Sequence, residues 1–233
     1  MKPRLAVFLA GLASLGAFAP ASAADRPVGV ELFTSQGYSS CPPADVLLGE
    51  LARREDVLAL SFHVDYWDRL GWKDPFSSAM ATARQRAYAH RLALRTVYTP
   101  QVVVDGTAEM VGSDRRAVAR AIAAARAAQT VDVKLVREAG ELVVRVGPVE
   151  GMSRTSVQLV AYVPGHTTRV TAGENGGRSL ANANIVRSVE TLGTAGAAAG
   201  EWRVPAETGP GFAVLVQGAD GRVLGAAAIK PGG

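Results

Sequence analysis

The chain has 233 residues, a formal net charge of +4 and a single cysteine, with 48% hydrophobic and 20% charged residues. One cysteine excludes an internal disulfide, and no basic stripe with interleaved aromatics is present to suggest nucleic acid as a partner. A chain of this length can bury a substantial apolar core without covalent staples.

Residues 1–23 read as a secretory signal: Lys2 and Arg4, an apolar stretch from Leu5 to Phe18, then the small residues Ala21-Ser22-Ala23. They are set apart from the fold. The apolar stretch is shorter than the roughly 20 residues that span a bilayer, and no later segment is long and charge-free enough. The mature chain is therefore expected to have no membrane span. Loss of Lys2 and Arg4 lowers its formal charge to +2. With no lipid-attachment cysteine in the signal and no wall anchor after it, the expected location is periplasmic or secreted.

The first element expected is a strand, Val28 to Thr34, alternating and rich in β-formers. It leads into the turn Tyr38-Ser39-Ser40-Cys41-Pro42-Pro43, and Val46, Leu47, Leu48 and Leu51 at helical spacing predict a helix over Ala44 to Arg54. Pro42 disfavours helical backbone at Cys41 and Pro43 suits a first helical turn, so Cys41 is placed at or just before the helix start. A helix N-terminus lowers a thiol pKa and burial raises it; the sequence leaves that contest open. A strand over Val57 to Val64 follows, continued by Asp65-Tyr66-Trp67-Asp68-Arg69-Leu70-Gly71-Trp72-Lys73-Asp74-Pro75. Strand alternation would place His63, Asp65 and Trp67 on one face if the strand runs that far. Then come a helix over Ser78 to Leu94, the pair Thr99-Pro100 opening a strand Gln101 to Val104, the turn Asp105-Gly106, and a helix over Asp114 to Gln129 with an N-cap signal.

The texture changes near Thr130. Short β-runs take over: Val131 to Val136, Glu141 to Val146, Ser156 to Val163, Ile185 to Val189, Gly200 to Val204, Phe212 to Gln217 and Arg222 to Ile229. Two domains are expected, an α/β domain over 24–130 and an all-β sandwich-like domain over 131–233. Gly193 to Gly200 is expected to be a mobile loop, and the glycine-rich stretch from Glu174 to Arg187 an ordered crossover between strands rather than an anion-binding loop.

A strand-turn-helix unit with a cysteine in the turn, and a Thr-Pro pair opening a later strand, resembles thioredoxin-like proteins. Glu31-Leu32-Phe33-Thr34-Ser35-Gln36-Gly37, Ser39-Ser40-Cys41-Pro42-Pro43-Ala44-Asp45, the His63 to Pro75 block and the Thr99-Pro100 strand, with Gly173 to Leu180 and Asn184 to Arg187, together resemble the exported bacterial family called domain of unknown function 1223. That resemblance implies a thioredoxin-like N-terminal region, a cis Pro100 facing the cysteine, and no established reaction. Family members usually carry Cys-Ser-Ser-Cys where this chain has Tyr38-Ser39-Ser40-Cys41. The position matching the attacking thiol is Tyr38 and only the resolving position survives, which excludes a two-thiol cycle within one chain.

Cys41 is the candidate thiol, set against its reading as a small buried hydrophobe. Tyr38, Thr99, Pro100, Asp65, Trp67 and Trp72 are candidate binding residues at the same sheet edge. Cys41, His63 and Asp65 could be grouped as metal ligands, but they form no recognised set with His90 or His166, so neither a metal nor another cofactor is expected. Two functions follow. The first is a monothiol redox protein exchanging with a periplasmic protein thiol or peptide. The second is a non-catalytic binding module that kept the groove.

Overall fold

A computed structural model of the chain describes residues 26–128, 131–151, 155–206 and 211–230. The signal expected at 1–23 and the boundary expected at Thr130 lie outside the described residues. The elements are β1 (Val28–Thr34), α1 (Pro42–Leu51), β2 (Val57–His63), α2 (Ala79–Arg91), β3 (Gln101–Val104), β4 (Ala108–Val111), α3 (Arg115–Ala125), β5 (Val133–Glu138), β6 (Glu141–Val146), β7 (Thr155–Arg169), β8 (Ser179–Ala195), β9 (Gly200–Pro205), β10 (Gly211–Gln217) and β11 (Val223–Ile229).

Eight strands form one mixed sheet in the order β11-β10-β7-β8-β2-β1-β3-β4, and β5-β6-β9 form a second, smaller sheet. β1 and β2 are parallel, while β3 returns antiparallel to β1. Alternation along β1 sends Val28, Val30 and Leu32 to the face covered by α1 and α3, and Phe33 to the face covered by α2. α1 turns Leu47, Leu48 and Leu51 onto the first face, and α3 adds Val118 and Ile122. Residue pairs spaced for a helix thus meet residues spaced for a strand, which is why both sides of β1 and β2 are buried throughout.

The sandwich expected after residue 130 takes a different form. β7, β8, β10 and β11 extend the sheet begun by β1–β4, and only β5, β6 and β9 form a separate layer. That layer packs through Leu135, Leu142, Val144 and Val146 onto Val157, Leu159, Val214 and Val216. The junction is narrow. β8 covers the free edge of β2 at Ser61 opposite Ile185, and Asn184 Nδ2 donates to the Ala59 carbonyl at 2.9 Å, so an edge that would otherwise carry unpaired backbone groups is closed.

A buried ionic network ties the same regions together. The Arg84 guanidinium on α2 pairs with Glu31 on β1 and donates to Gln158 on β7 at 3.0 Å, Tyr88 donates to Glu31 at 2.6 Å, and Gln217 on β10 donates to Tyr88 at 2.9 Å. After the turn Asp105-Gly106, an additional strand, β4, folds back on β3. Gly106 sits at φ +68 with a Cβ position 1.9 Å from the Gly221 carbonyl oxygen, so this crossing of two loops accepts only glycine.

Candidate functional site

The Cys41 turn joins the carboxyl end of β1 to α1. Cys41 is the N-cap residue and has helical backbone (φ −74, ψ −39), against the bias that Pro42 imposes. Its carbonyl accepts from the Ala44 and Asp45 amides at 2.9 and 3.2 Å, so the cap's own bonds hold it there. The side chain is fully buried. Burial pushes the thiol from its ordinary 9.0 up to about 12 and the nearby Asp45 carboxylate adds to this, outweighing hydrogen bonding at Thr34, Ser35 and Thr99. Burial wins the contest with the helix N-terminus, and the thiol is protonated at neutral pH.

Thr99, which hydrogen-bonds at the thiol, also holds an aromatic pair. The Tyr38 ring stacks on Trp67 at 4.3 Å with planes 7° apart, and the Arg69 guanidinium lies 5.3 Å from the Trp67 ring. Trp67 Nε1 donates to Thr99 Oγ1 at 2.6 Å, which fixes the indole against the Thr99–Pro100 peptide; that bond is cis. Behind Pro100, Gly112 leaves room for close contact, since a Cβ there would meet Leu32, Ala44 and Pro100 at 2.9–3.3 Å. Two exposed large hydrophobics, Val46 and Val111, belong to the two elements that converge on Gly112. A polar chain supports the floor: Tyr66 donates to Gln85, Gln85 to Gln101 and to the Tyr98 carbonyl, and Gln101 and Tyr98 both donate to Glu109.

Beneath the turn is a buried polar cluster. Thr34 Oγ1 donates to Asp45 Oδ1 at 2.9 Å, and His63 Nδ1 bonds Asp74 Oδ2 at 2.7 Å with both side chains fully enclosed. Asp74 also accepts from the Gln36 and Phe76 amides at 2.8 and 2.9 Å. Burial opposes the charged form of Asp74, but the bond from His63 and these amides together hold its carboxyl below the usual carboxylate range. Asp45 goes the other way. Burial raises it from 3.8 to about 6, moderated by His63 and by the Thr34 hydroxyl.

The tip of the β7–β8 hairpin closes the site from the far side. Asn175, fully buried, donates through Nδ2 to the Gln36 and Tyr38 carbonyls at 3.0 and 3.1 Å, and Arg178 holds its Oδ1 at 2.7 Å. Glu174 Oε2 accepts from the Ser39 amide and hydroxyl at 2.9 and 2.7 Å, which holds its carboxyl below the usual range. Gln36 donates to Thr168 and Asn182 on the hairpin arms.

The structure therefore brings Tyr38, Trp67, Thr99 and Pro100 around Cys41. It places Asp65 and Trp72 elsewhere. β2 ends at His63, so alternation stops before Asp65, which turns to α2 and accepts from Thr82 at 2.6 Å. Trp72 donates to Gln36 at 3.3 Å under the hairpin tip, where Gly173 packs on it. Gln36, Asp45, Asn175 and Asn182 were not singled out by sequence reasoning. For Asp45 a signal existed, an acid on the helical stripe shared by Cys41 and Leu48. Among the described residues no cluster of three or more His, Cys, Asp or Glu is arranged to hold a metal ion, and no helix is long and apolar enough to cross a membrane.

A model of the family described as "Protein of unknown function (DUF1223)" matches residues 29–217. Among solved structures, the crystal structure of protein AGR_C_4864 from Agrobacterium tumefaciens is similar, with 31% sequence identity and a TM-score of 0.77 over 87% of this chain and 93% of that one. The hypothetical protein PH1083 from Pyrococcus horikoshii OT3 aligns over 44% of this chain and 88% of its own at 9% identity and a TM-score of 0.24, too low to carry an argument. No curated protein matches the sequence.

Proposed function

The chain belongs to the DUF1223 family, and we propose that it acts as a non-catalytic binding module, holding an extended polypeptide in a thioredoxin-like groove without thiol chemistry. Support for the thioredoxin-like reading comes from the order of parts: β1, a cysteine turn, α1, parallel β2, and β3 opened by a cis proline beside the cysteine. The observation that carries the proposal is the full burial of Cys41, with its thiol pushed up to about 12. Exchange requires a thiolate that a substrate disulfide can reach, and this thiol is neither ionised nor reachable. Near the turn, in contrast, Tyr38 and Trp67 are half-buried and Arg69 is exposed, and together they offer flat, amphipathic surface of the kind that binds chains of varied sequence. Monothiol exchange, the other reading, would need the turn to open against the Asn175 and Glu174 bonds. Export under the signal at residues 1–23 is part of the same proposal, and the N-terminal sequence of the protein recovered from a periplasmic extract tests it.

Binding is tested with a reduced, carboxymethylated unfolded protein as probe, which has no thiol to exchange. Saturable quenching or shift of tryptophan fluorescence is expected, with affinity reduced about tenfold or more by Trp67→Ala and unchanged by Cys41→Ser. Absence of binding, or binding that Cys41→Ser abolishes, overturns the proposal.

A further inference from the structure

The loop after β2 turns once as a short 3-10 segment, Asp68–Leu70, in which the Leu70 amide bonds the Trp67 carbonyl at 2.9 Å. Arg69 folds back along its own loop. Its Nε donates to the Tyr66 carbonyl at 3.2 Å, and its guanidinium lies over the Trp67 ring, whose indole is itself held by Thr99. An exposed arginine is thereby fixed as a flat cation beside the Tyr38–Trp67 pair. Its position is set by one hydrogen bond and one ring, not by a carboxylate.

The acids of the surrounding loops and strands are already engaged. Asp65 accepts from Thr82 at 2.6 Å, Asp68 from the Ser77 hydroxyl and the Asp74 amide at 2.8 and 3.3 Å, Glu109 from Tyr98 and Gln101, and Glu174 from Ser39. No carboxylate of the described residues pairs with Arg69 or with Arg86. Arg86 is exposed one turn of α2 beyond Thr82. Burial pushes the nearby Tyr66 hydroxyl up to about 12, and the Arg86 charge is close enough to oppose that rise. From Ser78 to Val104 the chain carries Arg84, Arg86, Arg91 and Arg95 and no acid, and among the described residues only Arg84 is matched, by Glu31. The aromatic surface therefore has cations beside it and no idle acid. An incoming carboxylate meets opposite charge without displacing an internal partner.

Spacing decides what kind of chain fits. In an extended segment alternate side chains share a face and stand about 7 Å apart. The Arg69 guanidinium carbon is 5.3 Å from the centre of the Trp67 ring. A segment that lays an apolar side chain on the Tyr38–Trp67 pair therefore brings the side chain two positions along to Arg69, and the reach of an aspartate or glutamate covers the difference. A planar guanidinium takes a carboxylate through two parallel N–H bonds, which an ammonium does not offer. Given the polypeptide groove described above, on which this step rests, we propose that it selects extended segments with an acidic side chain two residues from an apolar one, the carboxylate bound by Arg69 and the apolar group by Tyr38 and Trp67. Arg86 adds longer-range attraction for the same charge.

The probes are two capped peptides, acetyl-Ser-Thr-Leu-Thr-Glu-Thr-Leu-Thr-Ser-amide and the same peptide with glutamine for glutamate. The caps remove the terminal carboxylate, and leucine on both sides of the glutamate serves either chain direction. Each is titrated into the protein while the indole N–H signals are followed by NMR. Both should move the Trp67 signal and leave that of Trp202, which packs in the second layer, in place. The acidic peptide should bind about fivefold more tightly in dilute buffer. That preference should shrink towards unity in about 0.5 M salt, where exposed charges are screened. It should be lost in Arg69→Gln, kept in part in Arg69→Lys and reduced in Arg86→Gln. Equal affinity of the parent for the two peptides, a preference that Arg69→Gln leaves intact, or binding of the carboxymethylated protein but of neither peptide overturns the selection and leaves the groove reading in place. If neither peptide nor the carboxymethylated protein moves the Trp67 signal, the groove itself is refuted and the selection with it. Binding to phosphatidylglycerol vesicles in place of either peptide would assign the cations to a lipid surface and likewise overturn it.

Discussion

Replacing Asp45 by Asn probes the buried cluster through its pH dependence. Asp45 is 5% exposed, and burial raises its carboxyl from 3.8 to about 6. The folded state therefore holds this proton more tightly than the unfolded chain does. The resulting stability is full below about pH 3.8 and is lost as pH rises through about 6. At about 1.4 kcal/mol per pH unit, a rise from 3.8 to about 6 amounts to about 3 kcal/mol. Asparagine keeps the oxygen that accepts from Thr34 and removes the ionisation. Urea unfolding of both proteins at pH 4, 5, 6 and 7 cancels in the difference the contributions of groups that are not coupled to Asp45. The unfolding free energy of Asp45→Asn minus that of the parent should grow by about 2.4 kcal/mol from pH 4 to pH 7, mostly between pH 4 and 6. Parallel profiles would refute the reasoning, because they would mean that Asp45 ionises alike in both states.

Asn175→Ala removes both donors to the Gln36 and Tyr38 carbonyls and should lower stability by about 2 kcal/mol in urea unfolding, with faster modification of Cys41 by a small alkylating reagent. Gly106→Ala meets both a positive φ and the Gly221 carbonyl, and should cost about 3 kcal/mol or prevent soluble expression; wild-type stability would show that the two loops part freely. Arg84→Met leaves Glu31 charged and buried, and should cost about 3–5 kcal/mol, part of which Glu31→Gln in the same chain recovers by removing the charge while still accepting from Tyr88.

How much of this was legible in the sequence varies by element. Val28–Thr34, Gln101–Val104 and Glu141–Val146 have the expected bounds, because short buried strands are written in unbroken or alternating apolar residues between turn signals. β4 was missed. Ala108–Val111 is half-exposed and too short to show a period, and only its pairing with β3 makes it a strand. β7 and β8 run to Arg169 and start from Ser179, far beyond the apolar runs Ser156 to Val163 and Ile185 to Val189, since their outer arms are polar and are held by each other. The same pairing carries β8 to Ala195, into the stretch read as a loop. At the site, the turn and the Thr99–Pro100 pair were visible as local sequence. The burial of Cys41 was not, because the turn that carries it is held by long-range contacts such as that of Asn175, which reaches the Tyr38 carbonyl from 137 residues away. No periodicity records a contact of that kind.

A polypeptide-binding role without thiol chemistry requires that Cys41 stay buried and protonated. The direct measurement is its rate of alkylation as a function of pH in the folded chain, with Cys41→Ser as the blank and the denatured protein as the reference. Slow modification with no inflection between pH 5 and 9, rising to the unhindered rate only on unfolding, is the result expected of a fully buried thiol pushed up to about 12. Rapid modification of the folded protein with an inflection below pH 8 would show an accessible thiolate, and would return the groove to thiol chemistry.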